Sequence, residues 1–294
     1  MTAYAVIGLG ELGHCLALNL ARAGMDVATF DLNPDCATPE GCARHNALVD
    51  AAKGRHLLTC LPNPAASEAV LREALPHIEG DWIECSTLGR DDILRLSALA
   101  AEHGVETLEC PVTGGVHLAR RGEITVLAGG DAALIERHRP ALRAIGNRLF
   151  HMGPIGSAAL IKVITNMLAF VHLKADAEAL MLAKRGGLDL ATAWAAIKES
   201  SGTSFVHETE GQLILSGSYD VGFDMALALK DLGFAEAFGA EYGVPLELAA
   251  ATKRTYERAA QVYGLRAQSP MIAKLLEDAL GTDLRAEGFP QRLE

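Results

Sequence analysis

The sequence predicts an α/β domain with a doubly wound parallel sheet, followed by an all-helical C-terminal domain. Short β-rich runs alternate with helical patterns through the first half of the chain. Such alternation is typical of βαβ units, whose helices cover both faces of a parallel sheet. From residue 156 to residue 280 the chain shows helical periodicity and no convincing strand. A chain of 294 residues is also long enough to divide into two domains, because a single hydrophobic core usually stops growing at about that size.

The first domain is predicted to contain six strands and four helices. The strands are short apolar runs, rich in β-branched residues and bounded by turn residues: Ala3–Ile7, Asp26–Phe30, His56–Cys60, Trp82–Glu84, Thr107–Glu109 and Ile124–Ala128. The helices between them carry apolar residues at helical spacing: Leu12–Ala23, Pro64–Leu75, Asp91–His103 and Asp131–Ile145.

The second domain is predicted to consist of helices alone: Ser157–Arg185, Leu190–Glu199, Ala226–Tyr242, Pro245–Tyr263 and Pro270–Ala279. The segment Met152-Gly153-Pro154-Ile155-Gly156 has the glycine and proline content of a turn, and it lies where the pattern changes. We therefore predict an α/β domain over residues 1–152 and a helical domain over residues 153–294.

Composition limits the partners and the compartment. A net charge of −11 argues against nucleic acid and anionic membranes, which normally require a basic patch. The first apolar run, Ala3–Leu9, is typical of a strand and not of a signal peptide, and charged residues interrupt the longest apolar stretch, Leu160–Ala183. The six cysteines form no Cys-x-x-Cys pair, so we expect reduced thiols and no metal. The expectation is a cytoplasmic protein.

A glycine-rich loop follows the first strand and precedes the first helix. It reads Gly8-Leu9-Gly10-Glu11-Leu12-Gly13. The three glycines allow a tight turn, close approach of the backbone to a pyrophosphate, and close packing of helix on strand. The free N–H groups at the start of the helix suit a phosphate. The loop and its setting predict a Rossmann-type nucleotide site, with a methyltransferase or a turn without ligand as alternatives.

Asp31 ends the second predicted strand, 18 residues beyond Gly13. An acidic side chain at this place accepts hydrogen bonds from the hydroxyls of the adenosine ribose. A 2′-phosphate would meet the like charge of Asp31, and no arginine follows directly in Leu32-Asn33-Pro34. The sequence therefore favours NAD over NADP as the cofactor.

A lysine and an asparagine share one face of the first helix of the second domain. Lys162 and Asn166 are four residues apart, so their side chains project one above the other. The surrounding residues are apolar, and desolvation there is expected to lower the pKa of Lys162. Such a lysine is able to take a proton from an alcohol as hydride leaves the same carbon. By itself, however, a pair of this kind is more often a surface lysine and a structural asparagine.

Four segments in order resemble the β-hydroxyacid dehydrogenase family, which includes 3-hydroxyisobutyrate dehydrogenases. These are the Gly8–Gly13 loop with Ala17-Leu18-Asn19-Leu20, then Cys110-Pro111-Val112-Thr113-Gly114-Gly115, then Gly153–Asn166, and finally Lys230-Asp231-Leu232. Four ordered motifs are far more specific than any one of them. The resemblance implies an oxidoreductase that transfers a hydride between a small β-hydroxy acid and NAD.

The resemblance also implies roles for individual residues. Lys162 matches the catalytic acid/base lysine, and Asn166 matches the asparagine that positions the substrate. Thr113, Gly114 and Gly115 match the loop that holds the substrate carboxylate, and exposed N–H groups at a Gly-Gly turn suit an anion.

Other matched positions are implied to bind the cofactor. Lys230 matches a lysine that reaches cofactor or substrate from the helical domain. Leu61-Pro62 and Thr87 match loops that contact the nicotinamide half of NAD. The chain departs from the pattern at Thr113, where serine is more usual, and at Ala158, where glycine is frequent.

Several alternatives stay open at this point. The physiological reaction is either oxidation of the hydroxy acid or reduction of a semialdehyde. An imine reductase of similar build is expected to lack the catalytic lysine, and a non-catalytic NAD-binding protein is expected to lack the Lys162/Asn166 pair. The chain is short for a decarboxylating 6-phosphogluconate dehydrogenase. Long apolar helices such as Ser157–Arg185 predict a homodimer or homotetramer.

Overall fold

The computed structural model describes residues 2–294 and divides the chain into two compact units. The first unit ends at Lys162 and the second begins at Val163. The division falls inside one long helix, ten residues beyond the predicted boundary at 152/153. That boundary stays a prediction, because the polypeptide leaves the sheet near residue 153 but continues as an unbroken helix from Ser157.

The first unit is built on a nine-stranded sheet. In chain order its strands are β1 Ala3–Ile7, β2 Asp26–Phe30, β3 Ala43–Arg44, β4 His56–Thr59, β5 Trp82–Glu84, β6 Thr107–Glu109, β7 Val112–Thr113, β8 Thr125–Gly129 and β9 Arg148–Gly153. The sheet order is β3-β2-β1-β4-β5-β6-β8-β7, with β9 also paired to β8. The first six strands of this order run parallel, and β8 is antiparallel to β6. This is the strand order of a Rossmann sheet.

Six helices cover the sheet: α1 Glu11–Arg22, α2 Leu48–Ala52, α3 Pro64–Ala74, α4 Arg90–Glu102, α5 Val116–Arg120 and α6 Ala132–Ile145. Successive residues of a strand point to opposite faces. Tyr4 and Val6 of β1 therefore join one core, whereas Ala5 and Ile7 join the other. The predicted doubly wound sheet is confirmed.

The second unit is helical. It contains α7 (Ser157–Arg185) from Val163 onward, α8 Leu190–Lys198, α9 Phe205–Glu208, α10 Glu210–Ser216, α11 Met225–Tyr242, α12 Glu247–Tyr263 and α13 Lys274–Leu280, with a 3-10 turn at Ser269–Ile272. Aspartate caps fix several starts, as where Asp189 accepts the N–H of Thr192 at 2.8 Å and Asp224 that of Leu227 at 3.0 Å. Residues 163–294 form helices and one 3-10 turn and no β-strand, which confirms the all-helical prediction.

The differences from the predicted elements are concentrated in short segments. Strands β3, β7 and β9 and helices α2, α5, α9 and α10 were not predicted. All of them are short, two to seven residues, and give only a weak periodic signal in the sequence. The predicted helix Pro270–Ala279 divides into the 3-10 turn and α13.

Helix α7 is long and apolar enough to cross a membrane by length and composition alone. An 18-residue window of it has a mean hydropathy of 1.4, and 33% of that window is buried inside the chain. Core helices of soluble proteins satisfy the same criterion. In the second unit this helix supplies Phe170, Leu173, Ala177, Leu180 and Met181 to the hydrophobic core.

Candidate active site

The glycine loop connects β1 to α1 in the tight turn that the sequence predicts. Gly8 has φ +95°, and a Cβ atom there would lie 2.3 Å from the carbonyl oxygen of Cys60. A Cβ atom on Gly13 would lie 1.9 Å from the carbonyl oxygen of Gly8. At Gly10 a Cβ atom would meet nothing within 4 Å. The fold thus requires glycine at positions 8 and 13. Gly10 leaves open space where a pyrophosphate approaches such a loop.

Asp31 directly follows β2 and holds the nucleotide loop. Its carboxylate accepts the backbone N–H of Leu9 at 2.6 Å and that of Asn33 at 2.7 Å. Arg44, from β3, donates to the carbonyl oxygens of Asp31 and Asn33, each at 3.1 Å. No local pattern predicts an arginine at this loop, because strand pairing of Thr29 with Arg44 brings Arg44 there. The preference for NAD therefore rests on Asp31 alone.

Glu11 is the first residue of α1 and lies in the predicted glycine loop. The side chain is about half exposed, and Arg120 of α5 lies 3.3 Å from its Oε2. Asn19 of α1 also donates to the carbonyl oxygen of Ala119 at 2.7 Å. These contacts hold α5 against α1, and Arg120 offsets the negative charge beside the loop.

The loops after β4 and β5 lie at the carboxyl edge of the sheet, where ligands bind in folds of this type. The hydroxyl oxygen of Ser86 accepts the N–H of Leu61 at 2.7 Å, so it fixes the loop that continues into Pro62. The N–H of Ser86 in turn donates to Glu84 at 2.7 Å. Glu84 is buried, and burial raises its pKa. These two hydrogen bonds position Leu61 and the segment that leads to Thr87.

The predicted anion loop lies between β7 and α5. Thr113 ends β7, and Gly114 and Gly115 follow with φ values of +129° and +84°. A Cβ atom on Gly114 would lie 2.9 Å from the side chain of Leu118. Only glycine adopts such a backbone without strain, and the turn presents N–H groups that suit a carboxylate.

Lys162 lies in the second turn of α7 and is 8% exposed. A residue distant in sequence caps the start of that helix. Glu109, the last residue of β6, accepts the N–H groups of Gly156 at 2.6 Å, Ala158 at 2.7 Å and Ala159 at 3.2 Å. Burial raises the pKa of Glu109, and these N–H groups and the nearby charge of Arg90 act in the opposite direction.

Asn166 lies one turn after Lys162 on the same helix. Within the helical unit its Nδ2 donates to Oδ2 of Asp231 on α11 at 2.6 Å. The Nζ of Lys230 lies 3.0 Å from Oδ1 of Asp231, and also 5.3 Å from the ring centre of Phe234. Asp231 is almost completely buried. Asp231 therefore orients both Asn166 and Lys230.

The matches to known proteins cover both units. A family model described as the NAD binding domain of 6-phosphogluconate dehydrogenase matches residues 3–153. A second, described as NAD-binding of NADP-dependent 3-hydroxyisobutyrate dehydrogenase, matches residues 156–276. The 2-(hydroxymethyl)glutarate dehydrogenase of Eubacterium barkeri is 32% identical over 289 residues, 95% of this chain and 96% of its own. This chain belongs to the β-hydroxyacid dehydrogenase family.

Two further relatives agree with that membership. The 3-hydroxyisobutyrate dehydrogenase of Pseudomonas aeruginosa is 32% identical over 81% of this chain and 85% of its own length. The 3-hydroxyisobutyrate dehydrogenase of Mycobacterium tuberculosis, solved with L-serine, superposes with a TM-score of 0.82 at 27% identity. That alignment covers 94% of this chain and 99% of the solved one. The predicted family is confirmed.

A member of this family is an oxidoreductase with NAD(P) as its cofactor. The residues of the first unit fit this dinucleotide. The open space at Gly10 and the turn closed by Gly8 and Gly13 are the cradle that a dinucleotide pyrophosphate needs. Asp31 lies at the ribose position of such a site. The individual binding roles stay predictions.

Three residues that position the site were absent from the predicted set: Arg44, Glu109 and Asp231. Each contacts a residue distant in sequence: Arg44 contacts Asp31, 13 positions away, Glu109 contacts Gly156, 47 away, and Asp231 contacts Asn166, 65 away. The only sequence signal was Asp231, which stands beside Lys230 in a motif that the family shares. No local pattern marks a strand-end glutamate as the cap of a later helix.

A second polar cluster lies at the amino edge of the sheet, away from these loops. Buried His138 lies 2.9 Å from the hydroxyl of Tyr4 and 2.7 Å from Oδ2 of Asp81. The N–H of Asp81 donates to Nδ1 of His56 at 2.9 Å, and Arg137 contacts the same carboxylate at 3.1 Å. The two histidines and Asp81 are close enough to hold a metal ion. The hydrogen bonds and Arg137 account for the arrangement without one.

Proposed function

We propose that the protein transfers a hydride between the carbinol carbon of a small β-hydroxy acid and NAD, with Lys162 as the general acid/base. The observation that carries the proposal is the placement of Lys162. Its side chain is buried at 8% exposure, one turn below Asn166, on a helix whose start is fixed by Glu109. A lysine so placed is not the surface residue that the pair alone would suggest.

The roles of the residues follow from their chemistry. When bound, the nicotinamide supplies the acceptor for hydride. Lys162 takes the hydroxyl proton as the carbonyl forms, and in the reverse direction returns it. Asn166, oriented by Asp231, holds the hydroxyl in line. Thr113, Gly114, Gly115 and Lys230 hold the substrate carboxylate.

The cofactor residues are proposed from the same loops. Gly8, Leu9, Gly10, Glu11, Leu12 and Gly13 surround the pyrophosphate; Asp31 accepts the ribose hydroxyls; Leu61, Pro62, Thr87 and Lys230 contact the nicotinamide half. The favoured form is NAD, since a 2′-phosphate would meet the carboxylate of Asp31.

The direct test is Lys162→Ala in a panel of β-hydroxy acids assayed with NAD and NADP by absorbance of the reduced cofactor. Removing a general acid/base usually costs about 10²- to 10⁴-fold, so we expect turnover to fall by about 10³-fold with NADH binding retained in a fluorescence titration. Lys174→Ala is the matched control, because Lys174 is a half-buried lysine twelve residues later on α7, paired with Glu178. A Lys162→Ala enzyme that turns over at the wild-type rate refutes the role.

Three alternatives give different results in that panel. A semialdehyde reductase runs mainly from the aldehyde with NADH and shows the same dependence on Lys162. An imine reductase would reduce cyclic imines and leave β-hydroxy acids unchanged. A non-catalytic protein would bind NADH and turn over nothing.

We also propose that the protein acts in the cytoplasm as a homo-oligomer. Its relatives are dehydrogenases of small metabolites. The helical unit exposes apolar side chains on α7 and α12, among them Leu168, Leu182, Leu248 and Val262. An apolar surface of this kind is expected to pack against a second copy.

A further inference from the structure

Glu109 is a buried carboxylate with an unusual set of partners. It is 1% exposed, and its two oxygens accept three backbone N–H groups from one helix start. The first N–H groups of any helix lack partners within the helix, and a side chain close in sequence usually satisfies them. Here the acceptor comes from 47 to 50 residues earlier, at the end of a strand.

The position of this carboxylate is fixed from more than one side. Glu109 pairs in register with Gly129 of β8, and a Cβ atom on Gly129 would lie 2.2 Å from Oε1 of Glu109. Gly156 has φ +95°, and a Cβ atom there would lie 3.1 Å from the side chain of Arg90. Glycine is therefore required on both sides of the contact between the carboxylate and the helix start.

The two ends of this contact lead to two parts of the proposed active site. Glu109 precedes Thr113 by four residues, through Cys110, Pro111 and Val112. Ala158, whose N–H it accepts, precedes Lys162 by four residues, which is one helical turn. One carboxylate thus joins the strand that leads to the anion loop to the helix that carries the lysine.

We infer that Glu109 is a positioning residue, which holds Lys162 at a fixed position relative to the Thr113–Gly115 loop. The inference rests on the proposed function of Lys162. A carboxylate at a helix start is also favoured by the helix dipole. Glu109 stays clear of the reaction itself and acts through Lys162. Loss of its charge lets the first turn of α7 shift and displaces Lys162 from the reacting hydroxyl.

The test uses Glu109→Gln, which keeps one acceptor oxygen and the shape of the side chain. A misplacement of about 1 Å in a catalytic group costs about 10²-fold, so we expect kcat to fall about 10- to 100-fold. The Kd for NADH should stay within twofold, since the glycine loop is untouched. The limb of the kcat–pH profile that depends on Lys162 should move. A merely structural role would lower stability and leave that limb in place.

Glu277→Gln is the matched control. Glu277 is 3% exposed and accepts the N–H of Leu284 at 2.9 Å in the helical unit, so it reports the general effect of neutralising a buried carboxylate. We expect its kcat–pH profile to match that of the wild type. Glu109→Ala adds the loss of all three hydrogen bonds, and Glu109→Gln remains the decisive variant if Glu109→Ala does not fold.

A double variant separates this inference from the proposed function. Because Glu109 acts through Lys162, adding Glu109→Gln to Lys162→Ala should lower the residual single-turnover rate less than twofold. A Glu109→Gln enzyme with wild-type kcat and pH profile overturns the positioning role even where Lys162→Ala is inactive. An active Lys162→Ala enzyme instead overturns the proposed function. A tenfold weaker Kd for NADH in Glu109→Gln also overturns the positioning role, because Glu109 would then serve the cofactor site.

Discussion

At the scale of single residues, two carboxylates near the proposed active site act on backbone groups. Asp31 accepts the N–H groups of Leu9 and Asn33, and Glu109 accepts three N–H groups of α7. Carboxylates bound by backbone N–H groups cannot relax to other partners without leaving those donors unsatisfied. Such residues therefore fix the loops around the proposed active site as well as contributing charge to it.

The cofactor preference is predicted to depend on Asp31. Replacing it in Asp31→Ser removes the acceptor for the ribose hydroxyls and the charge that repels a 2′-phosphate, while Arg44 remains beside the loop. A hydrogen bond to a charged group contributes about 1.5–3 kcal/mol, so we expect kcat/KM with NAD to fall by about tenfold or more. The ratio of kcat/KM for NADP to that for NAD should rise.

The matched control for this change is Asp35→Ser, an exposed aspartate of the same loop. Its ratio of NADP to NAD should equal that of the wild type. The assignment of Asp31 fails if Asp31→Ser keeps the wild-type ratio when initial rates are measured with both cofactors.

At the scale of elements, the parallel sheet separates two polar edges with different tasks. The carboxyl ends of β1, β4, β5 and β6 lead into the glycine loop, the Leu61 loop, Ser86 and the anion loop. The amino ends of β1, β4 and β5 carry Tyr4, His56 and Asp81, which meet His138 of α6. The first edge supplies the proposed active site, and the second ties strands and helix together.

The amino edge is predicted to make stability depend on pH. Burial lowers the pKa of His138 and of His56 below their ordinary values. The unfolded chain then binds more protons than the folded one as pH falls below about 6.5, so the free energy of unfolding decreases with falling pH in that range. One such proton corresponds to a slope of at most about 1.4 kcal/mol per pH unit.

His138→Gln removes one of these protons and should give a shallower slope than the wild type between pH 7 and pH 5. The free energy of unfolding is measured by urea denaturation at each pH. His103→Gln, at an exposed position after α4, should keep the wild-type slope. Identical slopes in the two variants would remove the buried histidine as the cause.

Helix α7 connects the element scale to the whole molecule. Six of its residues form an exposed stripe at spacings of three and four: Ile164, Leu168, His172, Ala175, Ala179 and Leu182. Residues at these spacings lie on one face of a helix. Leu182 is 75% exposed and Leu168 is 44% exposed. Apart from His172, this face consists of small and apolar residues, and such a face along a helix of 29 residues suits packing against another helix.

At the scale of the whole molecule, we expect the wild-type protein to be a dimer or tetramer through this stripe. Placing charge on it in Leu168→Glu with Leu182→Glu should shift the population to monomer, because burying two unpaired carboxylates is costly. Light scattering coupled to gel filtration measures the mass. Glu178→Lys, which alters charge beside the stripe, should retain the oligomer; a wild-type monomer contradicts the prediction.

The elements with a clear local apolar pattern were predictable from the sequence. Strands β1, β2, β5 and β6 and helix α7 have the bounds that the sequence predicts, since their apolar pattern and turn residues are local. Strands β3 and β7 were missed because two residues carry no period. Strand β9 was missed because its residues are mostly exposed or half-buried and its sequence, with Arg148 and His151, lacks the alternation of a core strand.

What the sequence by itself determined is the chemistry present: the glycine turn, Asp31, the Gly-Gly loop, and Lys162 with Asn166 one turn apart. These depend on backbone conformations and spacings within a few residues, so local sequence is enough. Only the tertiary structure decided which groups hold them in place. Glu109 reaches α7, Asp231 reaches Asn166, and Arg44 reaches the Asp31 loop because strand pairing and helix packing bring distant residues together. No local pattern records such a contact, and for that reason the support of Lys162 became visible only in the fold.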